Sequence, residues 1–503
     1  MKNIFIIFIS LAFSFPPSFN LDREPEIINN GLPSNSIIDI EAISGTQIYF
    51  GTSSGLGRID VDGEDRISSK VVSDAMPEGG NPALVVKGDI IAVSGVTTYY
   101  SAVTESNEPK GMGVAYSVDS GNTWKFIEQP IVENPEDGLY HQIEWGGQTL
   151  KILAVTTAVN NVSYDLAIGG DYIYSTSWAG GLRRFNFTDD NPSWEIIPLP
   201  MDNQSELICG DIDTDVYELN PKDPGDGGNH NHKGFSVFID NENIFVGTAD
   251  GINKGVIVEG CISWSHYSTA DGLSGNWIVG INSGLNSLWA ISWSTTSTES
   301  TGISYSLDDG ISWQYVNFFT DAGIKVYNIE ISGDLICAST IQGLYISEDG
   351  EHWELISSKY FDNESGQEIY TDPVYSTYLN ESINQAWIGT GDGLVIYDFI
   401  TNNDEIVQSY NKSNFSAFPN PFIISQDGNV RFYKEIEMGI STEINIFDFS
   451  MDHVVRLVNG FTSVNTRGWD GRNSRGKLVA NGVYFCKLTA NNKDYWTKLV
   501  VMN

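Results

Sequence analysis

The chain has 503 residues, 41% of them hydrophobic and 12% aromatic, with 50 glycines and only 18% charged residues. That is the composition of many short strands joined by tight turns, and it excludes a disordered chain. Formal net charge is −38, from 65 acidic against 27 basic residues, so a phosphate backbone or an anionic lipid surface is repelled and nucleic acid is excluded as a partner.

Residues 1–14 read as a signal peptide, with cleavage at Ala12-Phe13-Ser14 or at latest near residue 20. One cation, Lys2, precedes the apolar run Ile4 to Phe15, which is too short to span a bilayer. No later stretch has the length and apolarity of a transmembrane segment, and export through the inner membrane is expected. Cys209, Cys261, Cys337 and Cys486 are scattered singly, without a C-x-x-C pair. They read as ordinary buried thiols; a Cys209–Cys261 bridge is compatible with export, but spacing does not establish it.

From residue 36 to 400 an apolar strand, a small-residue turn and a second strand recur. The clearest copies are I-Y-F-G-T-S-S-G-L from Ile48, I-F-V-G-T-A-D-G-I from Ile244 and A-W-I-G-T-G-D-G-L from Ala386. With weaker copies from Ile90, Ile173, Leu288 and Ile336, the turns fall near 51, 94, 175, 247, 291, 339 and 389. The short spacings match one four-stranded blade, so residues 21–410 are expected to form an all-β ring of about seven blades, a β-propeller. Two wider gaps require insertions, for which Gln129 to Ala158 and Met201 to Lys233 are the candidates. Residues 21–30 are expected to supply the outer strand of the last blade and close the ring.

Two further segments repeat: S-V-D-S-G-N-T-W at Ser117 to Trp124 and S-L-D-D-G-I-S-W at Ser306 to Trp313. They resemble the Asp-box, or BNR, motif of sialidase-like propellers. Phe187 to Trp194 is a degraded copy, and Ser347 to Trp353 is one residue short. In such a turn Asp and Ser/Thr oxygens accept backbone N–H groups, Gly tolerates a positive φ and Trp packs between blades. Ser117, Asp119, Gly121 and Trp124, and likewise Ser306, Asp308, Gly310 and Trp313, are therefore expected to be structural. The segments from Asn29 and Ala270 are similar to the regulator-type propeller repeats of extracellular sensor domains.

The texture changes at Phe415: residues 415–503 carry 8 acidic and 10 basic residues, a net of +2 that leaves −40 to the rest. F-P-N-P-F from Phe418, I-N-I-F-D-F from Ile444, W-D-G-R from Trp469, N-G-V-Y-F-C-K-L from Asn481 and the closing K-L-V-V-M-N are alternating strands and glycine turns. This run resembles the C-terminal sorting domains of type IX secretion substrates and the related immunoglobulin-like β-sandwich of flagellar hook-capping proteins. The resemblance implies delivery to the bacterial cell surface or beyond, with the outer-membrane secretion machinery as a partner; the rival reading is an adhesive sandwich that stays attached.

Sialidase chemistry needs several arginines around one carboxylate. Residues 21–410 hold only Arg23, Arg58, Arg66, Arg183 and Arg184, two of them adjacent, which argues against it. Acidic residues are so abundant that a glycosidase pair is easy to imagine and carries little information, with Glu144, Asp165 and Asp171 as examples. No G-x-S-x-G, P-loop or H-E-x-x-H occurs, and no nucleotide cofactor is indicated. Asp211, Asp213 and Asp215 form D-I-D-T-D, a spacing that suits calcium, followed by His230 and His232 in N-H-N-H; the EF-hand pattern then fails at Val216 and Lys222. The expectation is a non-enzymatic propeller that recognises protein or polysaccharide, with Trp145 and Trp178 as candidate sugar-stacking rings. A carbohydrate-active enzyme and a structural surface protein are the alternatives.

Overall fold

The computed structural model describes the chain from residue 20 to 502 apart from short stretches, the longest being 62–66, 133–139, 222–228, 362–367, 401–414, 434–441 and 460–467. The expected signal peptide, residues 1–14, lies outside the described residues. The chain divides into two compact units, residues 1–402 and 403–503.

The first unit is all-β in its architecture. Seven antiparallel sheets follow one another among the described residues, each a meander of adjacent strands. Their innermost strands are Ile37–Ser44, Leu84–Lys87, Asp165–Gly169, Gly234–Asp240, Trp277–Gly284, Val326–Ser332 and Val374–Asn380. Each packs against the next in that order, and the last packs back on the first, so the sheets form a closed ring. Every junction between neighbouring sheets holds its own apolar cluster. Tyr49, Leu56, Leu84, Ile91 and Val93 fill the first, and Ile37, Phe50, Ile59, Trp387 and Leu394 fill the one that closes the circle. This is a β-propeller, a design that leaves few exposed sheet edges.

The seventh sheet shows how the circle is sealed. Its strand Gly393–Ile400 pairs antiparallel with Asn20–Leu21 and with Glu26–Ile28, so the outermost strand comes from the opposite end of the unit. Ile27 is buried there beside Ile346, Leu379 and Val395.

The recurring G-T-x-x-G turn has a physical basis. Thr52 Oγ1 donates to the Gly55 carbonyl at 2.7 Å and accepts the Ser54 N–H, and Thr248, Thr340 and Thr390 repeat the arrangement at Gly251, Gly343 and Gly393. The four closing glycines have φ between 127° and 137°, a conformation that a Cβ would strain.

The two expected insertions are present and pair with each other. Tyr140–Trp145 and Gln148–Leu153 make a hairpin, and Glu218–Leu219 joins its edge in parallel. A disulfide between Cys209 and Cys261 anchors the second insertion to the outer part of the fourth sheet. Cys337 and Cys486 are buried free thiols.

The second unit is a pair of sheets. Ser416–Phe418, Val430–Tyr433 and Gly468–Trp469 form one; Phe422–Ile423, Lys493–Met502, Gly482–Ala490, Thr442–Phe447 and His453–Asn459 form the other. Alternation along Gly482–Ala490 sends Tyr484, Cys486 and Leu488 into a core shared with Phe432, Ile444, Trp469 and Leu499. Trp469 also anchors its own turn, donating Nε1–H to the Arg472 carbonyl at 2.7 Å.

Candidate functional site

The best candidate lies where the seven inner strands begin. In five of them, one extra residue is inserted near the start of the strand, between positions 37 and 39, 234 and 236, 278 and 280, 326 and 328, and 374 and 376. Such bulges re-aim a side chain. Three of the inserted residues are Phe235, Tyr327 and Tyr375, and Tyr164 precedes the third inner strand at the matching place.

These rings gather into an aromatic belt made of two groups. Phe235 lies 6.0 Å from Tyr164, 5.5 Å from Trp178 and 5.2 Å from Trp277, centroid to centroid, while Tyr327 lies 6.0 Å from Trp293 and 5.2 Å from Tyr375. All seven rings are half-buried, so each keeps part of its surface open. Two ammonium groups stand over them: Lys233 Nζ is 4.6 Å from the Trp178 centroid, and Lys325 Nζ is 3.6 Å from that of Trp293. Burial draws the Lys325 ammonium below its usual range.

Deeper along the same strands stand four carboxyls. Asp39 and Asp165 occupy equivalent positions, and so do Glu41 and Glu330, with Tyr378 at the matching place on the strand between the two glutamates. Burial pushes Asp39 and Asp165 up to about 7 and Glu330 to about 8. Glu41 is raised by burial and then by Asp39, Glu330 and Asp165. Water still reaches all four although protein surrounds them on every side, as befits groups that line the axis of a ring. Both aspartates are also engaged with backbone: Asp39 accepts N–H groups of Ile40 and Leu84, and Asp165 those of Leu166 and Val237. The glutamates are less committed, Glu330 accepting the Leu379 N–H at a long 3.5 Å.

Other residues singled out by sequence are placed elsewhere. Trp145 is 3% exposed and packs in the core beneath the Arg184 guanidinium, so it is not available to a ligand. Glu144 lies exposed on the inserted hairpin, where it accepts from Thr149, and Asp171 lies exposed in a hairpin turn; neither joins Asp165. Asp211, Asp213 and Asp215 are exposed, in a loop whose Ile212 is held at both N–H and C=O by the Gln148 side-chain amide. His232 is buried away from them, accepting the Asn220 N–H at Nδ1 and facing the Leu199 carbonyl with Nε2; burial lowers its pKa. Among the described residues no three His, Cys, Asp or Glu side chains converge closely enough to hold a metal ion.

The two S-x-D-x-G-x-[ST]-W turns share one geometry. Asp119 accepts Thr123 Oγ1–H and N–H and Ser117 Oγ–H; Asp308 does the same with Ser312 and Ser306. Led by the Thr123 and Ser312 hydroxyls, these bonds hold both carboxyls at about 2. Trp124 and Trp313 donate Nε1–H to the Gly121 and Gly310 carbonyls, and Trp353 repeats this with Gly350 in the shortened copy. In the degraded copy Trp194 instead donates to the Glu128 carbonyl.

No family model and no curated protein matches the sequence. Among solved structures the chain is similar to PorZ, a surface component of the type IX secretion system of Porphyromonas gingivalis, at 14% identity and a TM-score of 0.35. That match covers 91% of this chain, which spans 64% of the length of the other. It is also similar to the Myceliophteria thermophila Cps50 (Swd1) propeller domain, at 10% identity, 76% and 99% coverage and a TM-score of 0.44. Virginiamycin B lyase from Staphylococcus aureus matches at 12% identity, 76% and 100% coverage and a TM-score of 0.41. The propeller assignment stands on the strand order and the closed ring of this chain itself.

Proposed function

We propose that this is an exported, seven-bladed recognition propeller that binds a polysaccharide or protein ligand at the open end of its ring. The aromatic belt carries the reading. Half-exposed rings offer flat apolar surfaces to sugar faces or apolar side chains, Lys325 offers a donor, and the axial carboxyls accept hydrogen bonds. Asp119 and Asp308 serve as Asp-box staples in this reading, and Asp211, Asp213 and Asp215 remain a calcium candidate outside the belt. The Cys209–Cys261 bridge supports an oxidising, extracytoplasmic destination. Residues 415–503 act as the sorting module for the type IX machinery, a role that rests on their sequence pattern; removing them is expected to trap the propeller inside the outer membrane.

The test is a glycan array probed with the mature chain, with and without calcium, beside its Trp277→Ala and Tyr327→Ala variants. Selective binding lost in the variants is the expected result. Binding that survives both variants would move the site away from the belt.

One observation favours a second reading. Glu41 and Glu330 are raised carboxyls on one axis, the condition for an acid/base pair in a glycosidase or lyase. Turnover of any bound glycan, abolished in Glu41→Gln and Glu330→Gln while binding persists, would establish it.

A further inference from the structure

Arg183 and Arg184 are consecutive on the third strand of the third sheet and point to opposite sides of it. Arg184 is fully matched: its Nε donates to Glu195 at 2.7 Å, its Nη2 to the Gly260 carbonyl at 2.8 Å, and its plane faces Tyr172. Arg183 is 5% exposed and has no carboxylate partner among the described residues. Its Nε donates to the Gly180 carbonyl at 3.3 Å and its Nη2 to Thr156 Oγ1 at 3.1 Å, which leaves Nη1 without an acceptor among the described residues. Burial alone draws the guanidinium down to about 10, still cationic at neutral pH. A buried cation without a counter-ion is costly, so a position kept in that state is one where an anion is the missing part.

The guanidinium lines a small, open-mouthed cavity between the outer strands of the third sheet and the inserted segments. The rest of the wall is largely apolar: Ile152, Leu153, Leu182, Ile197, Leu199 and Leu219. His232 also borders it, but both of its ring nitrogens are already engaged with backbone, as described above. Thr156 spends its own proton on the Ala179 carbonyl, so Arg183 is the group left to meet a ligand. Gly180 makes the room: a Cβ there would sit 2.3 Å from Ser177 Oγ and 3.2 Å from Arg183 Nε.

We infer that this cavity binds an apolar monocarboxylate, its single charge matched to Arg183 and its hydrocarbon part to the apolar wall. One guanidinium balances one negative charge, which disfavours phosphate or sulfate dianions, and its planar fork suits a carboxylate. The carboxylate can belong to a small organic acid or to the C-terminus of an apolar peptide. The site is separate from the belt at the ring mouth, and either proposal can fail without the other.

Titration calorimetry on the full chain at pH 7 tests it, with sodium hexanoate, hexanamide and sodium sulfate as probes. Hexanoate is expected to bind one to one and hexanamide at least about tenfold more weakly, because only the acid supplies the anion. Equal binding of hexanoate and hexanamide, binding of sulfate in preference to hexanoate, or no hexanoate binding overturns the inference, and these comparisons need no variant. Arg183→Gln is expected to abolish hexanoate binding while the protein still melts cooperatively; binding retained in that variant also overturns it. Gly-Gly-Leu with a free C-terminus, set against its amide, assigns the source: binding of the free peptide alone points to a peptide terminus, and binding of neither, with hexanoate bound, to a small acid.

Discussion

Asp165 Oδ2 accepts the backbone N–H of Val237 at 2.8 Å, tying the inner strand of the third sheet to that of the fourth. Asp39 does the same for the first and second sheets through Leu84, and Ser236 Oγ continues the series by donating to the Ile278 carbonyl. Replacing Asp165 by Ala leaves the Val237 N–H unmatched at a sheet junction, and should cost about 1–3 kcal/mol in urea unfolding at pH 5. Asp165→Asn keeps an acceptor and should cost less, with the difference from wild type shrinking as the pH rises from about 4 to 7.

That pH effect has a defined sign. Asp39, Asp165 and Glu330 have folded values of about 7, 7 and 8, above those of an unfolded chain. Their contribution to stability is fully present below about pH 4 and is lost as the pH rises through 7 to 8, since the unfolded state gives up its protons first. Asp119, Asp308 and Asp349 are held at about 2, so their contribution is present above about pH 4 and lost as the pH falls towards 2. Stability should therefore peak at about pH 4 and decline from there towards pH 8, and Glu330→Gln should flatten that decline. Thermal melts across this range check both.

Reducing the Cys209–Cys261 bridge, which links residues 52 apart, should lower stability by up to about 4 kcal/mol on the chain-entropy estimate. Gly146 packs against it at a φ of 58°, and a Cβ there would lie 2.5 Å from Cys209 Sγ. Gly146→Val should therefore impede formation of the bridge, which thiol titration of the purified protein would reveal as two additional reactive cysteines.

Trp313 is buried between the fourth and fifth sheets against Phe245, Leu273 and Leu288. Trp313→Ala should cost about 3–5 kcal/mol, a core-sized loss. Trp277→Ala, in the half-exposed belt, should cost clearly less while removing ligand binding. Chemical denaturation of the two variants side by side separates a packing tryptophan from a recognition tryptophan.

The ring was legible in the sequence because its signal is local: Thr52, Gly55 and Leu56 recur with the turn that demands them, and the spacing between copies marks the sheets. Closure by residues 20–28 was legible for a related reason, since an unpaired outer edge called for a partner. Trp145 and Trp178 could not be told apart, because burial of one under Arg184 and exposure of the other depend on an insertion with no repeat to compare. The belt was missed since its members come from different sheets and align only once the bulges at Phe235, Tyr327 and Tyr375 are seen. Two carboxyls among 57 before Phe415 carry no mark that they will share an axis. Arg183 likewise looks identical to Arg184 in a one-dimensional text; alternation along the strand gives one a counter-ion and the other a cavity.

Pairing of Asn20–Leu21 and Glu26–Ile28 with Gly393–Ile400 also sets the order of events during synthesis. The earliest of these segments must wait for residue 400 to emerge, about 20–80 s at 5–20 residues per second. Through that interval six sheets can assemble in sequence while the circle stays open, and the last seam forms only after nearly the whole first unit has been made. On the export proposed above, such a late lock is an advantage: a nascent arc, lacking its clasp, is easier to keep unravelled than a finished ring.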